Sequence, residues 1–284
     1  MFFKDKGMFF TSLITPAILL VLYVTFLADV YRDTFTSSLP QGIALPQNIA
    51  DGLVGAQLMS SILAVSCVTV AFCSNFLMVQ DKSNGSVRDL RMTPVSPAAL
   101  AVGYYAATFI STFIIAAAGM ALCLIYVWAV GWFMSLADVL FLLLDVFVLT
   151  LFGTALSSVV NFFLSTQGQA SAVGTIVSAG YGFICGAYMP ISSFDEGLRN
   201  VLSCLPGTYG TSLIRNHSLR GVLSAMSSAG AAPQVTDSVR DFLDCNLYFF
   251  GSRVGIGEMY AVLVSSVAVL LAVYIVMNVA KSRK

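Results

Sequence analysis

The sequence predicts an all-α membrane protein: six transmembrane helices, a short helix on the cytoplasmic side, and re-entrant or interfacial helices in the last outer segment. Three observations predict this. First, of 284 residues 58% are hydrophobic and only 10% charged, against about 25% charged in a soluble domain. With a mean hydropathy of +0.87, too few polar side chains remain to clothe a globule in water, so most of the surface meets lipid. Second, the charges cluster and leave intervals of spanning length. Third, the clusters differ in sign between the two sides of the membrane that those intervals define.

The intervals place the helices in order. Between Lys6 and Asp29 lie 22 uncharged residues, between Asp51 and Asp81 29, and between Glu258 and Lys281 22; each fits one helix of about 20 residues. The 46 residues between Arg91 and Asp138 open on a Pro94/Pro97 turn and close near Gly131-Trp132, where Trp suits a membrane interface. They hold one helix. The 49 residues between Asp145 and Asp195 are too many for one span, and the polar run Ser165-Thr166-Gln167-Gly168-Gln169 breaks them. They hold the inner part of one helix and all of the next. The predicted spans are 8–28, 54–79, 98–130, 139–164, 170–190 and 258–280, and the chain 1–284 reads as one transmembrane domain. Lys4-Asp5-Lys6 before an apolar run with no small-residue cleavage site reads as a retained first helix.

Six spans put both termini on one side. That side carries eight Lys and Arg and three acids, net +5, while the other carries six Arg and ten acids, net −4. Basic residues in short loops mark the cytoplasmic side, so both termini are expected there, in a multi-pass protein of the cell membrane. With zero formal net charge, nucleic acid is not an expected partner. The only sizeable outer segment, 191–257, shows Phe194, Leu198, Val201 and Leu202 at helical spacing, then Pro206-Gly207, then Tyr209, Leu213 and Ile214. This suggests two short amphipathic helices near the outer interface. Beyond them Ala231–Pro233 reads as a flexible tip between two weaker helical stretches.

Catalytic signatures are missing. The sequence has no H-E-x-x-H, G-x-S-x-G or paired C-x-x-C, and no G-x-x-x-x-G-K-[ST] to cradle ATP phosphates. With one histidine, His217, no His-based metal or triad site can be assembled; among polar neighbours it reads as a solvated side chain. Four of the six Cys (Cys67, Cys73, Cys123, Cys185) sit in apolar runs as small hydrophobes. The outer pair, Cys204 and Cys245, could in principle be bridged.

Three features remain as candidates. The fifth span carries small residues every fourth position, Ala170, Gly174, Ser178, Gly182 and Gly186, which lets another backbone approach closely. That stripe packs within the subunit or faces a partner or a path. Ala99, Gly103, Ala107 and Ser111 repeat the pattern weakly in the third span. Asp145 falls inside the fourth span, roughly 10 Å deep at about 1.5 Å per residue, and an intramembrane carboxylate is a functional candidate by default. No Lys or Arg in any span can pair with it, so a structural role bonded to Ser, Thr or Tyr is the alternative. Finally, Gln80 to Pro97 shows a helix start at Asn84-Gly85-Ser86, with Ser86 as N-cap. Val87 and Leu90 share one face, Arg88, Asp89 and Arg91 fill the rest, and Pro94 is the stop.

Gly85-Ser86-Val87-Arg88-Asp89-Leu90 followed by Met92-Thr93-Pro94-Val95-Ser96 resembles the cytoplasmic segment of ABC-2 type permeases, the membrane subunits of ABC exporters, where G-T-x-x-x-L…T-P-[VLI]-S follows the second span. Gly186, Pro190, Ile191, Pro206, Thr208, Tyr209 and Arg215 are similar to a second family pattern, G…P-[IL]…P-x-[TS]-Y…R. Two departures stand out: the family's acidic E-R-E is Asp81-Lys82-Ser83 here, and too little chain precedes the first span for the family's N-terminal interfacial helix.

The resemblance implies a permease subunit of an ATP-driven exporter, not itself an enzyme, that pairs with a second permease subunit, identical or paralogous. Two cytoplasmic ATPase subunits would bind ATP and Mg, with no cofactor on this chain. It implies that Asp81, Lys82, Gly85, Ser86, Val87, Arg88, Asp89, Leu90, Arg91 and Pro94 form the ATPase-coupling surface. The family's route runs between paired subunits along the first, second and fifth spans, which places Phe72, Asn75, Met78, Gly174, Ser178, Tyr181, Gly182 and Phe183 near it. Apolar and aromatic lining suits a hydrophobic or amphipathic cargo such as a drug, lipid or lipid-linked polymer. An ion-driven secondary transporter and a non-transporting sensor or anchor subunit are the alternatives.

Overall fold

A computed structural model describes residues 46–282, with isolated positions 18, 20, 21 and 25 before them. The predicted first span, 8–28, and both chain ends lie almost wholly outside the described residues. The remainder is a helical bundle: α1 (Gln47–Ser74), α2 (Phe76–Ser83), α3 (Ser86–Arg91), α4 (Pro97–Val130), α5 (Leu136–Phe162), α6 (Gln167–Ile184), a 3-10 turn at Ile191–Ser193, α7 (Glu196–Ser203), α8 (Pro206–Ser228), α9 (Pro233–Phe242), the hairpin β1 (Leu247–Phe249) and β2 (Ser252–Val254), and α10 (Ile256–Ser282). Among the described residues four helices are long and apolar enough to cross a membrane: α1 continued by α2 (Gln47–Ser83), α4, α5 and α10.

The long helices run between two ends. At one, Lys82 of α2 meets carbonyls at the close of α5, and the Lys281 ammonium of α10 lies over the Phe162 ring. At the other, the α4–α5 link packs on α1, where Gly131 and Gly52 leave room for the Phe133 ring, and on α8, where Gly221 meets the Phe133 backbone. Helix α1 is the axis of the bundle, buried along most of its length and packed on α4, α5, α6 and α8. Its Leu58, Met59, Ile62 and Cys67 join Leu142, Val146 and Leu149 of α5 and Leu213 and Ile214 of α8 in the main core.

Local chemistry fixes the boundaries. Helix α4 starts where Ser96 accepts from the Ala99 amide with Pro97 at the first helical position. Capping boxes open α5 (Ser135 with Asp138) and α6 (Thr166 with Gln169). Observed α4, α5 and α10 match the predicted third, fourth and sixth spans within three residues at each end. The second span is longer than predicted at both ends, reaching Ser83; at its inner end Asp81, the charge that bounded the predicted interval, is bonded to Tyr104, and Lys82 is taken up by carbonyls of α5. The predicted fifth span, 170–190, is a shorter helix ending at Ile184; Gly186 at φ +74° turns the chain out of the helix before Pro190.

The outer segment differs most from expectation. In place of two short interfacial helices, one short helix, α7, is followed by a 23-residue helix, α8, buried among α1, α5 and α10. Its Thr, Ser, Arg, Asn and His content reads as surface but is paired inside. The expected tip near Ala231–Pro233 is a tight turn with Gly230 at φ +96°, after which α9 begins with Pro233 at N1. The β hairpin, closed by Phe250 and Gly251 at positive φ in the manner of a two-residue turn, carried no sequence expectation. Cys204 and Cys245 are both free thiols.

Candidate functional site

The short helix sits on a braced elbow. Tyr104 Oη of α4 donates to Asp81 Oδ2 at 2.8 Å. Lys82 Nζ donates to the carbonyls of Asn161 at 2.8 Å and Phe162 at 3.0 Å, a cation on the unsatisfied C-terminal carbonyls of α5. Asp81 and Lys82 therefore face the bundle. The turn is made by Gly85, at φ +83° with open space where a Cβ would stand, a conformation that costs other residues about 1–2 kcal/mol. Gly85 is the N-cap and Ser86 the first helical residue, without a side-chain cap bond, which corrects the expected Ser86 cap. Arg88 and Arg91 lie in α3, Asp89 is exposed, and Thr93 Oγ1 closes the end by donating to the Leu90 carbonyl at 2.6 Å. Pro94 stands in the turn before α4. Beyond the brace the apolar side chains are bare: Leu90 is 40% exposed, Met92 77% and Val95 50%, while Val87 is half-buried.

The positions expected along a route do not share one surface in the single chain. Phe72, Asn75 and Met78 are buried. Asn75 Nδ2 donates to Ser157 and Ser158 of α5 at 3.1 and 3.2 Å, and the Tyr274 hydroxyl reaches the Met78 sulfur at 3.1 Å. On α6, Gly174 borders open space. Ser178 and Gly182 lie beneath Tyr188, whose amide donates to the Gly182 carbonyl and whose ring a Cβ at Gly182 would strike. Tyr181 is buried against Gly207 and Phe183 is exposed.

The opposite end holds two buried polar clusters. Asp145 is 1% exposed; its Oδ2 lies 2.6 Å from His217 Nδ1 and its Oδ1 accepts from the Tyr260 hydroxyl. The Phe141 ring stacks on His217 with centroids 5.0 Å apart. His217 is thus a buried partner of the intramembrane carboxylate, which corrects its reading as a solvated side chain. The tie joins α5, α8 and α10. In the second cluster Arg215 Nη1 donates to Asp244 Oδ2 at 3.0 Å and Nη2 to the Gly186 carbonyl. Asp244 also accepts from the Ile191 and Ser192 amides, and Asn216 donates to the Cys245 carbonyl at 2.6 Å. Burial, the largest influence, pushes the Asp244 carboxyl up, against the pull of Arg215 and the two amides. The second family pattern is accordingly structural: Gly186, Ile191 and Arg215 meet in this cluster, while Thr208 and Tyr209 donate to the Leu202 and Ser203 carbonyls at 2.8 and 2.6 Å. Arg215 was visible in the sequence pattern; Asp244, Tyr260 and Tyr104 gave no signal.

Among the described residues no group of three His, Cys, Asp or Glu side chains is placed to hold a metal. The clusters tie helices together, and the α3 elbow presents exposed apolar side chains on a braced root. A family model described as "ABC-2 family transporter protein" matches residues 34–280. No curated protein and no solved structure matches the chain.

Proposed function

The chain belongs to the ABC-2 family of transporter proteins, a membrane permease of an ABC transporter that works with an ATPase subunit, and from that premise we propose that it is the permease half of an exporter whose α3 elbow is the ATPase docking point. One observation carries the reading: Leu90, Met92 and Val95 are exposed apolar side chains on a projection whose root is held by the Asp81–Tyr104 and Lys82–α5 bonds. A bare apolar tip on a rigid root transmits force to whatever covers it. Two ATPase subunits would each seat one such elbow in a dimer of permeases. ATP-driven closure would then be passed through the elbow as a rigid-body movement, favouring an outward-facing state by differential affinity.

In this reading the chain crosses the cell membrane six times with both termini in the cytoplasm, as the +5 and −4 charge partition supports. The cargo is hydrophobic or amphipathic and moves outward between the paired subunits, near Gly174 and Phe183. The test is Leu90→Asp. The variant should insert and dimerise as the parent does, yet lose transport-linked ATP turnover, because a carboxylate in an apolar groove is costly. Full coupling in a well-expressed Leu90→Asp protein would remove α3 from the mechanism.

A further inference from the structure

A cavity of about 590 Å³ opens between α5, α6, the start of α8 and α10, a volume in the range of small-molecule sites. It lies within one subunit, whereas the proposed route runs between subunits, and Tyr181, which the resemblance placed near that route, lines this cavity instead. None of its lining residues is charged. Its rim carries Ile176 at 69% and Val269 at 62% exposure, and two of its walls, α5 and α10, are long and apolar enough to cross a membrane, which turns the mouth toward lipid.

Its few polar groups are arranged unequally. Thr208 donates its hydroxyl proton to the Leu202 carbonyl of α7, and Ser265 and Ser266 donate theirs to the Val262 carbonyl of their own helix, which leaves their oxygens as acceptors. Tyr181 lines the same cavity, is 8% exposed, and its hydroxyl has no hydrogen-bond partner among the described residues beyond the weakly polar Cys185 thiol nearby. A buried hydroxyl without a partner is uncommon and calls for one. A hydrocarbon tail alone would leave it unsatisfied, and a charged group would find no counter-charge.

We propose that this cavity is an intramembrane binding site, entered sideways from the bilayer, for an uncharged, mainly hydrocarbon molecule bearing one hydroxyl or carbonyl that pairs with Tyr181. The probe is hexadecanol carrying a chain diazirine, photolysed with the full-length protein in phosphatidylcholine nanodiscs and mapped by peptide mass spectrometry. Diazirine hexadecane and diazirine palmitate serve as comparison arms. Hexadecanol should label the segments 176–185 and 265–270 in preference to other lipid-facing helices, and unlabelled hexadecanol should compete. Tyr181→Phe should weaken that competition about five-fold, the worth of one neutral hydrogen bond, with thermal stability retained. Val269→Trp, on an exposed position, should abolish the labelling by blocking the mouth.

Labelling spread over all lipid-facing helices, equal labelling by the alkane with no effect of Tyr181→Phe, preference for the carboxylate, or crosslinks from this face to a second copy would each overturn the proposal. No ATPase is present in the experiment, so its failure is separable from failure of the exporter reading.

Discussion

The two ends of the bundle treat polar and apolar side chains in opposite ways. At the α8 end, Arg215, Asp244, Asn216, His217 and Asp145 are buried and bonded to one another or to backbone, so that end is closed by its own chain. At the α3 end, Asp81 and Lys82 bond the root to the bundle, and Leu90, Met92 and Val95 are left bare. Satisfied polar clusters buried in an apolar bundle hold its helices in fixed register. An apolar tip on a braced root is incomplete without a partner. The proposed cytoplasmic end is therefore where we propose that another protein docks.

The largest effect should come from opening the closed end. Arg215→Ala leaves the Asp244 carboxylate buried without its cation, and such losses cost about 3–5 kcal/mol. Because burial already pushes the Asp244 carboxyl up, removal of Arg215 raises it further. The protonated form then fits the fold and the charged form does not, so the loss grows as pH rises through the raised value and shrinks at acid pH. Thermal unfolding of the detergent-solubilised variant at pH 5 and pH 8 checks this. An equal loss at both values would show that the ion pair is not what closes this end.

A smaller effect separates two positions of one stripe. Gly182→Leu must displace the Tyr188 ring, and overpacking costs about 1–3 kcal/mol. Gly174→Leu meets open space and should change stability by less than about 0.5 kcal/mol. If Gly174→Leu nevertheless lowers ATP-driven transport, the open upper part of the stripe faces a partner or the route. If both variants lose stability alike, the stripe is internal packing along its length.

The smallest effect on folding is expected at the open end. Tyr104→Phe removes one hydrogen bond to Asp81 and should cost about 1 kcal/mol, measurable as a modest shift of the unfolding midpoint. Its effect on the transport-to-ATP ratio should be larger than that shift implies, since it loosens the root of α3. An unchanged ratio would show that the brace is not needed for coupling.

The same contrast explains how far the sequence could be read. Helices α4, α5 and α10 were legible because lipid imposes apolar composition directly, and the α3 helix was legible from Gly85, Val87, Leu90 and Pro94. Helix α8 was not. Ser212, Arg215, Asn216 and His217 look like surface residues, and their burial depends on partners 29–72 residues away, at Asp244, Cys245 and Asp145. Asp81 misled in a similar way: it bounded the predicted second span, but its partner, the Tyr104 hydroxyl, lies 23 residues on, and the carbonyls that take up the neighbouring Lys82 lie 79–82 residues distant. Periodicity reports a helix's own face and is silent about such distant pairings. The small-residue stripe was legible as a stripe, but Tyr188, which covers its Gly182, lies beyond the turn that ends the helix.

The central claim is that the α3 tip is where a second protein docks. It is tested most directly by placing p-benzoylphenylalanine at Met92, 77% exposed, and in a separate protein at Tyr248, 37% exposed at the opposite end, and irradiating intact cells. The Met92 position should give a covalent adduct whose partner, identified by mass spectrometry, carries a P-loop, and Tyr248 should give none. Absence of that adduct from a well-expressed Met92 protein, or its equal formation from Tyr248, would contradict the account.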